Sequence, residues 1–334
     1  MARIAIVGEG VIGISTALSI QKRVPSARIT IFSDTPFEKS CSYGPAGLFR
    51  IDNINWEKNR KYGKTTFDWL AELARNRPGS ETGVKLLSGH IQSDHEESLK
   101  NQERAYADIV YNFRWLSEAE MKSQFENPAK YCIHYSAYAA EGNLYVPFLR
   151  SLLENVVFEQ KKVDDLAELG NNFDVIVNCA GLNGGKLAGD DNTMIPVRGI
   201  VALVDAPWHK EFLYRDFSTF TIPKNDVVVV GSVKTDGDWR RDHDQAEVDE
   251  ILRRYYELQP AMKKAPVIGS WCALRPFRPA GIRVDSVVRK NRSGGLFSLV
   301  NHYGHGSNGF TLGWGSAQDA AQLVEKAVAL KSKL

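Results

Sequence analysis

The chain has 334 residues, 43% of them hydrophobic, and a formal net charge of +2 from 42 basic and 40 acidic side chains. That length buries a sizeable core and suggests two domains, while so small a charge without a basic stripe offers no field for nucleic acid. No apolar run approaches bilayer-spanning length, no leader-like segment precedes the first strand, and Cys41, Cys132, Cys179 and Cys272 form no C-x-x-C pair. The expectation is a soluble protein of a reducing compartment, with no metal site and with Cys179 and Cys272 as inert core thiols.

Arg3 to Val7 is a short apolar, β-branched run that predicts a strand buried on both faces. Gly8-Glu9-Gly10-Val11-Ile12-Gly13 follows at the G-x-G-x-x-G spacing, and Val11 to about Ile20 predicts a helix closed off near Pro25. A second strand, Arg28 to Phe32, ends at Asp34, about twenty positions after Gly13, where a ribose-binding carboxylate belongs. Gly8 allows the tight turn, Gly10 lets backbone approach a pyrophosphate, and Gly13 lets the helix pack close to the strand. The helix N-terminus then stabilises the diphosphate charge. This assembly predicts an ADP-containing cofactor.

The Ser40-Cys41-Ser42 to Gly47-Leu48 stretch reads as a loop of small residues crossing near a ligand. Trp56 to Asn76 fits an amphipathic helix. Strands are predicted over Val84–Ile91 and Tyr131–Ala140, with a capping box at Ser117 and Glu120 opening a helix to about Phe125, and a helix over Val146–Asn155. Phe173 to Gly181 is an apolar strand ending in Asn-x-x-Gly and predicts a return to the nucleotide-binding sheet. Beyond it, Met194–Val204 and Val227–Lys234 read as strands with a loop over Arg215–Ile222 between them. Asp242–Leu258 is a helix, Trp271–Pro279, Val284–Lys290 and Leu296–Val300 are strands, and a last helix runs from about Gly309 to Leu330.

Several stretches together resemble the D-amino acid oxidase family of FAD-dependent enzymes. They are the glycine turn, Val175–Gly181, Pro196-Val197-Arg198-Gly199, Asp205–Trp208, Leu274-Arg275-Pro276-Phe277-Arg278-Pro279 and His302-Tyr303-Gly304-His305-Gly306. Pro196–Gly199, Gly237-Asp238-Trp239 and Gly306-Ser307 are similar to the branch of that family that acts on D-aspartate. The resemblance implies an α/β and α+β architecture, with a Rossmann-type FAD-binding domain interleaved with an antiparallel-sheet substrate domain. The expected division is 1–55, 141–192 and 272–334 for FAD, and 56–140 and 193–271 for substrate.

The resemblance also implies oxidation of acidic D-amino acids, D-aspartate and D-glutamate, by O₂ to a 2-oxo acid, ammonia and H₂O₂. It makes Arg275 the grip on the substrate α-carboxylate and places Ser307 beside the substrate amine and flavin ring. Gly306, Gly309, Phe310 and Thr311 form the flavin-contacting turn and helix start, Val163 touches the adenosine part by its backbone, and Gly181 ends the returning strand. Asp34, Ser40, Cys41, Ser42, Gly47 and Leu48 match ribose, phosphate and isoalloxazine contacts. A bidentate guanidinium fixes a planar carboxylate as a point charge does not, which singles out Arg275. His302 and His305 are expected to be structural.

Two departures stand out. The family carries a tyrosine three positions before the proline of its lid segment; here that place is Phe220, before Pro223. The lost hydroxyl costs about 0.5–1.5 kcal/mol of substrate affinity unless Tyr214 or Tyr303 replaces it. Where the branch commonly has an arginine for the side-chain carboxylate, this chain has Lys234, with Arg215 and Arg50 as the other candidate cations. Open alternatives are an oxidase of neutral or basic D-amino acids and a flavin-binding protein without turnover. An NAD-dependent dehydrogenase would share the glycine turn but leave Arg275 and His302–Gly306 unexplained. The terminal Ser332-Lys333-Leu334 reads as an address for the peroxisomal import receptor, giving a matrix location.

Overall fold

The computed structural model describes residues 1–51 and 56–331. In chain order its strands are β1 (Arg3–Val7), β2 (Arg28–Ser33), β3 (Val84–Ser93), β4 (Tyr111–Trp115), β5 (Tyr131–Ala140), β6 (Val157–Gln160) and β7 (Val175–Asn178). There follow β8 (Ile195–Val204), β9 (Phe212–Arg215), β10 (Thr219–Pro223), β11 (Val228–Asp236), β12 (Val267–Phe277), β13 (Arg283–Lys290) and β14 (Leu296–Tyr303). A six-stranded sheet has the order β13-β14-β7-β1-β2-β6, and an eight-stranded sheet the order β12-β8-β11-β10-β9-β3-β5-β4. The chain divides into two compact units, Met1–Tyr43, Tyr145–Pro196 and Arg275–Leu334 in one, Gly44–Leu144 and Val197–Leu274 in the other.

In the first unit β14, β7, β1, β2 and β6 run parallel, and β13 is added antiparallel to β14. Ile4, Ala5 and Ile6 of β1 are fully buried, as a central parallel strand covered on both faces must be. Each such isoleucine contributes about 1.5–3 kcal/mol of burial free energy. The Val11–Arg23 helix packs on the Gly309–Lys331 helix, where Gln318 Nε2 donates to Ser19 Oγ at 2.8 Å, and its small residues Ser15, Thr16 and Ser19 are buried. The Gly142–Ser151 helix lies earlier than the expected Val146–Asn155, and it stops short of Asn155, whose left-handed φ of 56° no α-helix continues.

The second unit takes up the chain at Gly44, whereas the sequence reading carried the first segment to residue 55, which lies outside the described residues. The cause is local pairing: Leu48 bridges Ala139, and the Phe49 amide donates to Tyr138 O at 2.9 Å. The pairings of β8 with β11, β11 with β10, β10 with β9, β3 with β5 and β5 with β4 are antiparallel, and β3 runs parallel to β9. The Gln245–Leu258 helix opens on a full capping box at Asp244 and Glu247. It lays Val248, Ile251, Leu252 and Tyr255 on Ile200, Ala202, Val228 and Val230. The expected loop over Arg215–Ile222 is instead the β9–β10 hairpin. Its turn places Asp216 at φ 47° and Phe217 at φ 57°, the geometry that Asn-Gly usually signals, and Ser93 Oγ steadies it by donating to Asp216 Oδ1 at 2.7 Å.

Among the described residues no helix is long and apolar enough to cross a membrane, and no group of three His, Cys, Asp or Glu side chains could hold a metal ion. All four cysteines are free. Cys179 is buried and its thiol is pushed up to about 12 by desolvation. Cys272, expected in the core, is only half-buried, at the margin of the Ile200–Val230 cluster.

Candidate active site

The first unit builds a nucleotide cradle where β1 ends. Gly8 has φ 114°, and a Cβ there would lie 2.3 Å from Cys179 O, so only glycine allows β1 and β7 to end side by side. A Cβ on Gly13 would meet Gly8 O at 1.9 Å, which makes it the point of closest helix–strand approach. Gly10 precedes the Val11–Arg23 helix without a side-chain cap of its own, and the first turn, including Ile12, holds no acidic residue. The Val11 amide donates to Ser42 Oγ at 3.0 Å, bringing the Ser40–Ser42 segment against the helix start. Glu9 is paired with Arg150, whose guanidinium also lies 3.9 Å from the Phe158 ring centroid. Burial raises the Glu9 carboxyl above its ordinary range, and Arg150 opposes that rise.

Around this cradle the same unit gathers most of the expected cofactor residues. Asp34 is exposed just past β2 and accepts from Thr35 Oγ1 at 2.8 Å. Ser40, Cys41 and Ser42 are half-buried, and Val163 packs against the Ala5–Phe32–Leu299 cluster. Gly181 follows β7 in a one-turn 3₁₀ segment. Gly306 has φ 55° and sits against Phe277, which would be 3.3 Å from a Cβ there. Gly309 starts the last helix, with Phe310 and Thr311 buried in its first turn. Gly47 and Leu48 belong to the other unit.

His302 and His305 are buried and bonded. His302 Nδ1 lies 2.8 Å from Thr16 Oγ1 and its Nε2 2.8 Å from Ser316 Oγ, while His305 Nε2 lies 2.9 Å from the same Ser316 oxygen. Burial lowers His302 to about 3 and His305 well below its ordinary value, so both rings are neutral hydrogen-bonding pieces. Ser307 is exposed in the turn that follows. Arg275 is half-buried near the end of β12, and its Nη1 is buried with no hydrogen-bond partner among the described residues. A buried guanidinium nitrogen left unpaired is costly unless a ligand anion completes it.

In the second unit Phe220 stacks on Tyr214 with ring centroids 4.9 Å apart, and the Arg50 guanidinium lies 5.8 Å from Tyr214 and 5.2 Å from Phe217. Arg215 is tied down: its Nη1 donates to Gln92 Oε1 at 2.9 Å and Asn127 O at 3.0 Å. Lys234 is exposed toward the end of β11, opposite Gly199. The Tyr303 hydroxyl is equally committed, donating to Asp191 at 2.9 Å and accepting from Arg283 at 3.0 Å.

The family model described as FAD dependent oxidoreductase matches residues 3–323. The chain belongs to the FAD dependent oxidoreductase family. Its relatives include D-aspartate oxidase 2 of Caenorhabditis briggsae, 55% identical over 99% of this chain and 100% of that protein. D-aspartate oxidase 1 of Caenorhabditis elegans is 54% identical over 98% of each. Among solved structures, glycine oxidase from Bacillus cereus superposes with a TM-score of 0.79 at 20% identity, covering 98% of this chain and 95% of its own, a likeness of fold.

The residues of this FAD dependent oxidoreductase fit its cofactor. Gly8, Gly10 and Gly13 keep the turn free of side chains where backbone must approach closely, the helix start is acid-free as a dinucleotide pyrophosphate requires, and FAD is the cofactor. Two groups escaped the sequence reading. Arg150 neutralises the one carboxylate inside the glycine turn, and Asp191 collects Arg278 and Tyr303 from distant strands. Adjacent Asp190-Asp191 before a strand was the only signal of the second, and nothing in the sequence marked the first.

Proposed function

We propose that this FAD dependent oxidoreductase is a D-aspartate oxidase, converting D-aspartate with O₂ and water to oxaloacetate, ammonia and H₂O₂, and taking D-glutamate as a second acidic substrate. The end-to-end likeness to relatives named D-aspartate oxidase carries this reading. Held by the Gly8–Gly13 turn, bound FAD would supply the redox chemistry, a hydride acceptor for the substrate Cα and an electron donor to O₂, and water would hydrolyse the imino acid.

The protein's share is orientation. Arg275 binds the α-carboxylate, and its unpaired buried Nη1 supports that role. With His302 and His305 buried, neutral and held by Ser316, neither ring acts as a base. Gly306 and the start of the last helix would supply backbone to hold the flavin ring, with the positive end of the helix dipole favouring negative charge there. Lys234 is the proposed partner of the side-chain carboxylate, because it is exposed while Arg215 is already bonded within its own unit. Ser332-Lys333-Leu334, outside the described residues, is proposed as the address read by the peroxisomal import receptor. A peroxide-producing oxidase belongs beside catalase.

The test is peroxide release from FAD-loaded protein given D-aspartate, D-glutamate, D-alanine or L-aspartate. Release with the two acidic D-amino acids, and its loss in Arg275→Lys with flavin still bound, is the expected result. Faster turnover of D-alanine than of D-aspartate overturns the acidic-substrate reading.

A further inference from the structure

Asp191 is a buried carboxylate outside every motif that marks the site. Its side chain is 3% exposed, and it sits in the loop before β8. Its Oδ1 accepts from the Thr193 amide at 3.0 Å and the Thr193 hydroxyl at 2.6 Å, which fastens it to its own loop. Its Oδ2 accepts from Arg278 Nε at 2.7 Å and from the Tyr303 hydroxyl at 2.9 Å. Burial alone would raise this carboxyl, but the hydrogen bonds from Thr193, Arg278 and Tyr303 overcome it and hold it well below the ordinary carboxylate range.

The two groups that meet on Oδ2 come from the two segments that carry the substrate-facing residues. Arg278 follows β12, three residues past Arg275, and its Nη1 donates to Gly281 O at 3.1 Å. Tyr303 ends β14, immediately before the Gly304–Gly306 turn and Ser307. The segments also touch directly: Phe277 bridges His305, and a Cβ on Gly304 would lie 2.9 Å from Arg278 Cβ. Outside Asp191, the Tyr303 hydroxyl receives Arg283, whose guanidinium holds Asp190 through contacts of 2.6 and 3.0 Å. Arg275 Nη1, by contrast, has no protein partner among the described residues, so its aim depends on how the strand beneath it is anchored.

We propose that Asp191 is a positioning residue for substrate binding: by taking Arg278 and Tyr303 on one carboxylate oxygen it fixes the end of β12 against the Gly304–Gly306 turn and thereby aims Arg275. This rests on reading Arg275 as the grip on the α-carboxylate. Asparagine at 191 keeps the size but removes the negative charge and one acceptor oxygen, so it cannot accept from Thr193 and from Arg278 and Tyr303 at once, and the strand end is then free to shift relative to the turn. The effect falls on binding of the carboxylate more than on the cofactor, because none of Asp191's four bonds goes to the Gly8–Gly13 cradle.

The experiment titrates FAD-loaded protein with succinate, which is aspartate without its amine, following the flavin absorbance, alongside kcat, KM and thermal stability. Asp191→Asn is expected to keep its flavin and to raise both the succinate Kd and the KM for D-aspartate about tenfold or more, roughly the worth of one charge-assisted contact. Arg278→Lys should move both constants the same way, and the double variant should add little, since one contact has been lost in each case. A folded Asp191→Asn holoenzyme with lowered Tm but wild-type Kd and KM overturns the proposal. If Asp191→Asn does not fold, Arg278→Lys decides by the same two constants. Wild-type protein that binds no succinate and oxidises no D-aspartate would instead overturn the substrate reading, a result separable from Asp191→Asn matching a competent wild type.

Discussion

The ring of Phe220 lies across Gly231, its partner on the neighbouring strand: a Cβ added at Gly231 would come within 2.2 Å of Phe220 Cζ. The missing side chain gives the ring its seat, and Tyr214 closes the other side by stacking at 4.9 Å. The ring is held by shape on both faces, and only its edge distinguishes it from a tyrosine.

Phe220→Tyr therefore adds a hydroxyl to a ring that is already positioned. Tyr303 cannot replace the absent hydroxyl, since its own is taken by Asp191 and Arg283. The expected outcome is a KM for D-aspartate lowered about two- to tenfold, the worth of one hydrogen bond of about 0.5–1.5 kcal/mol. Steady-state kinetics check it, and an unchanged or raised KM would show that the hydroxyl does not reach the carboxylate.

A second prediction concerns acid. His302 is fully buried and lowered by burial to about 3. Its proton affinity is lower folded than unfolded, so its neutral form contributes stability that is complete above the unfolded value near 6.5 and lost as pH falls toward 3. At pH 5.5 the loss is on the order of 1 kcal/mol for this residue. His302→Gln keeps hydrogen-bonding capacity toward Thr16 and Ser316 but does not titrate. Denaturant unfolding at pH 7.5 and 5.5 should show a smaller acid-induced loss in the variant, and equal losses would remove His302 from the account.

What the sequence made legible was local. The Gly8–Gly13 turn, the Trp56–Asn76 helix and the capping box at Ser117 and Glu120 are each written in neighbouring residues, and the structure has all three. The β9–β10 hairpin escaped because Asp216-Phe217 adopts left-handed geometry without the usual Asn-Gly signature. Asp191 escaped for another reason: Arg278 and Tyr303 are 87 and 112 residues away along the chain, so only folding makes them partners. The same holds for the division into units. Gly44 to Phe49 looks like a loop leaving the nucleotide cradle until its pairing with β5 is seen.

The proposed import address gives a third prediction. Deleting Ser332-Lys333-Leu334 should leave kcat, KM and flavin content unchanged, because the last helix is already anchored by buried Ala317, Ala320, Ala321 and Val324. A tagged full-length protein should co-localise with peroxisomes and the truncated one should disperse in the cytosol. Retention of the truncated protein in peroxisomes would refute the address.

The last prediction concerns what makes the substrate acidic. With Arg275 proposed for the carboxylate that every amino acid carries, preference for a diacid needs another cation. Arg215 spends its guanidinium on Gln92 and Asn127, and moving it would break both bonds. Arg50 lies against the Tyr214 and Phe217 rings. Lys234 is exposed on a long flexible stem, and a point charge on such a stem adapts to diacids of different length better than a guanidinium fork. Lys234→Ala should lower kcat/KM for D-aspartate about 10- to 150-fold, the worth of a charge-assisted contact of about 1.5–3 kcal/mol. Small neutral D-amino acids should change little or improve. Because Lys234 is exposed, the variant should fold with unchanged Tm, so the kinetics read recognition and not stability. An equal loss for both substrate classes would make Lys234 structural and turn attention to Arg50, with Arg215 behind it.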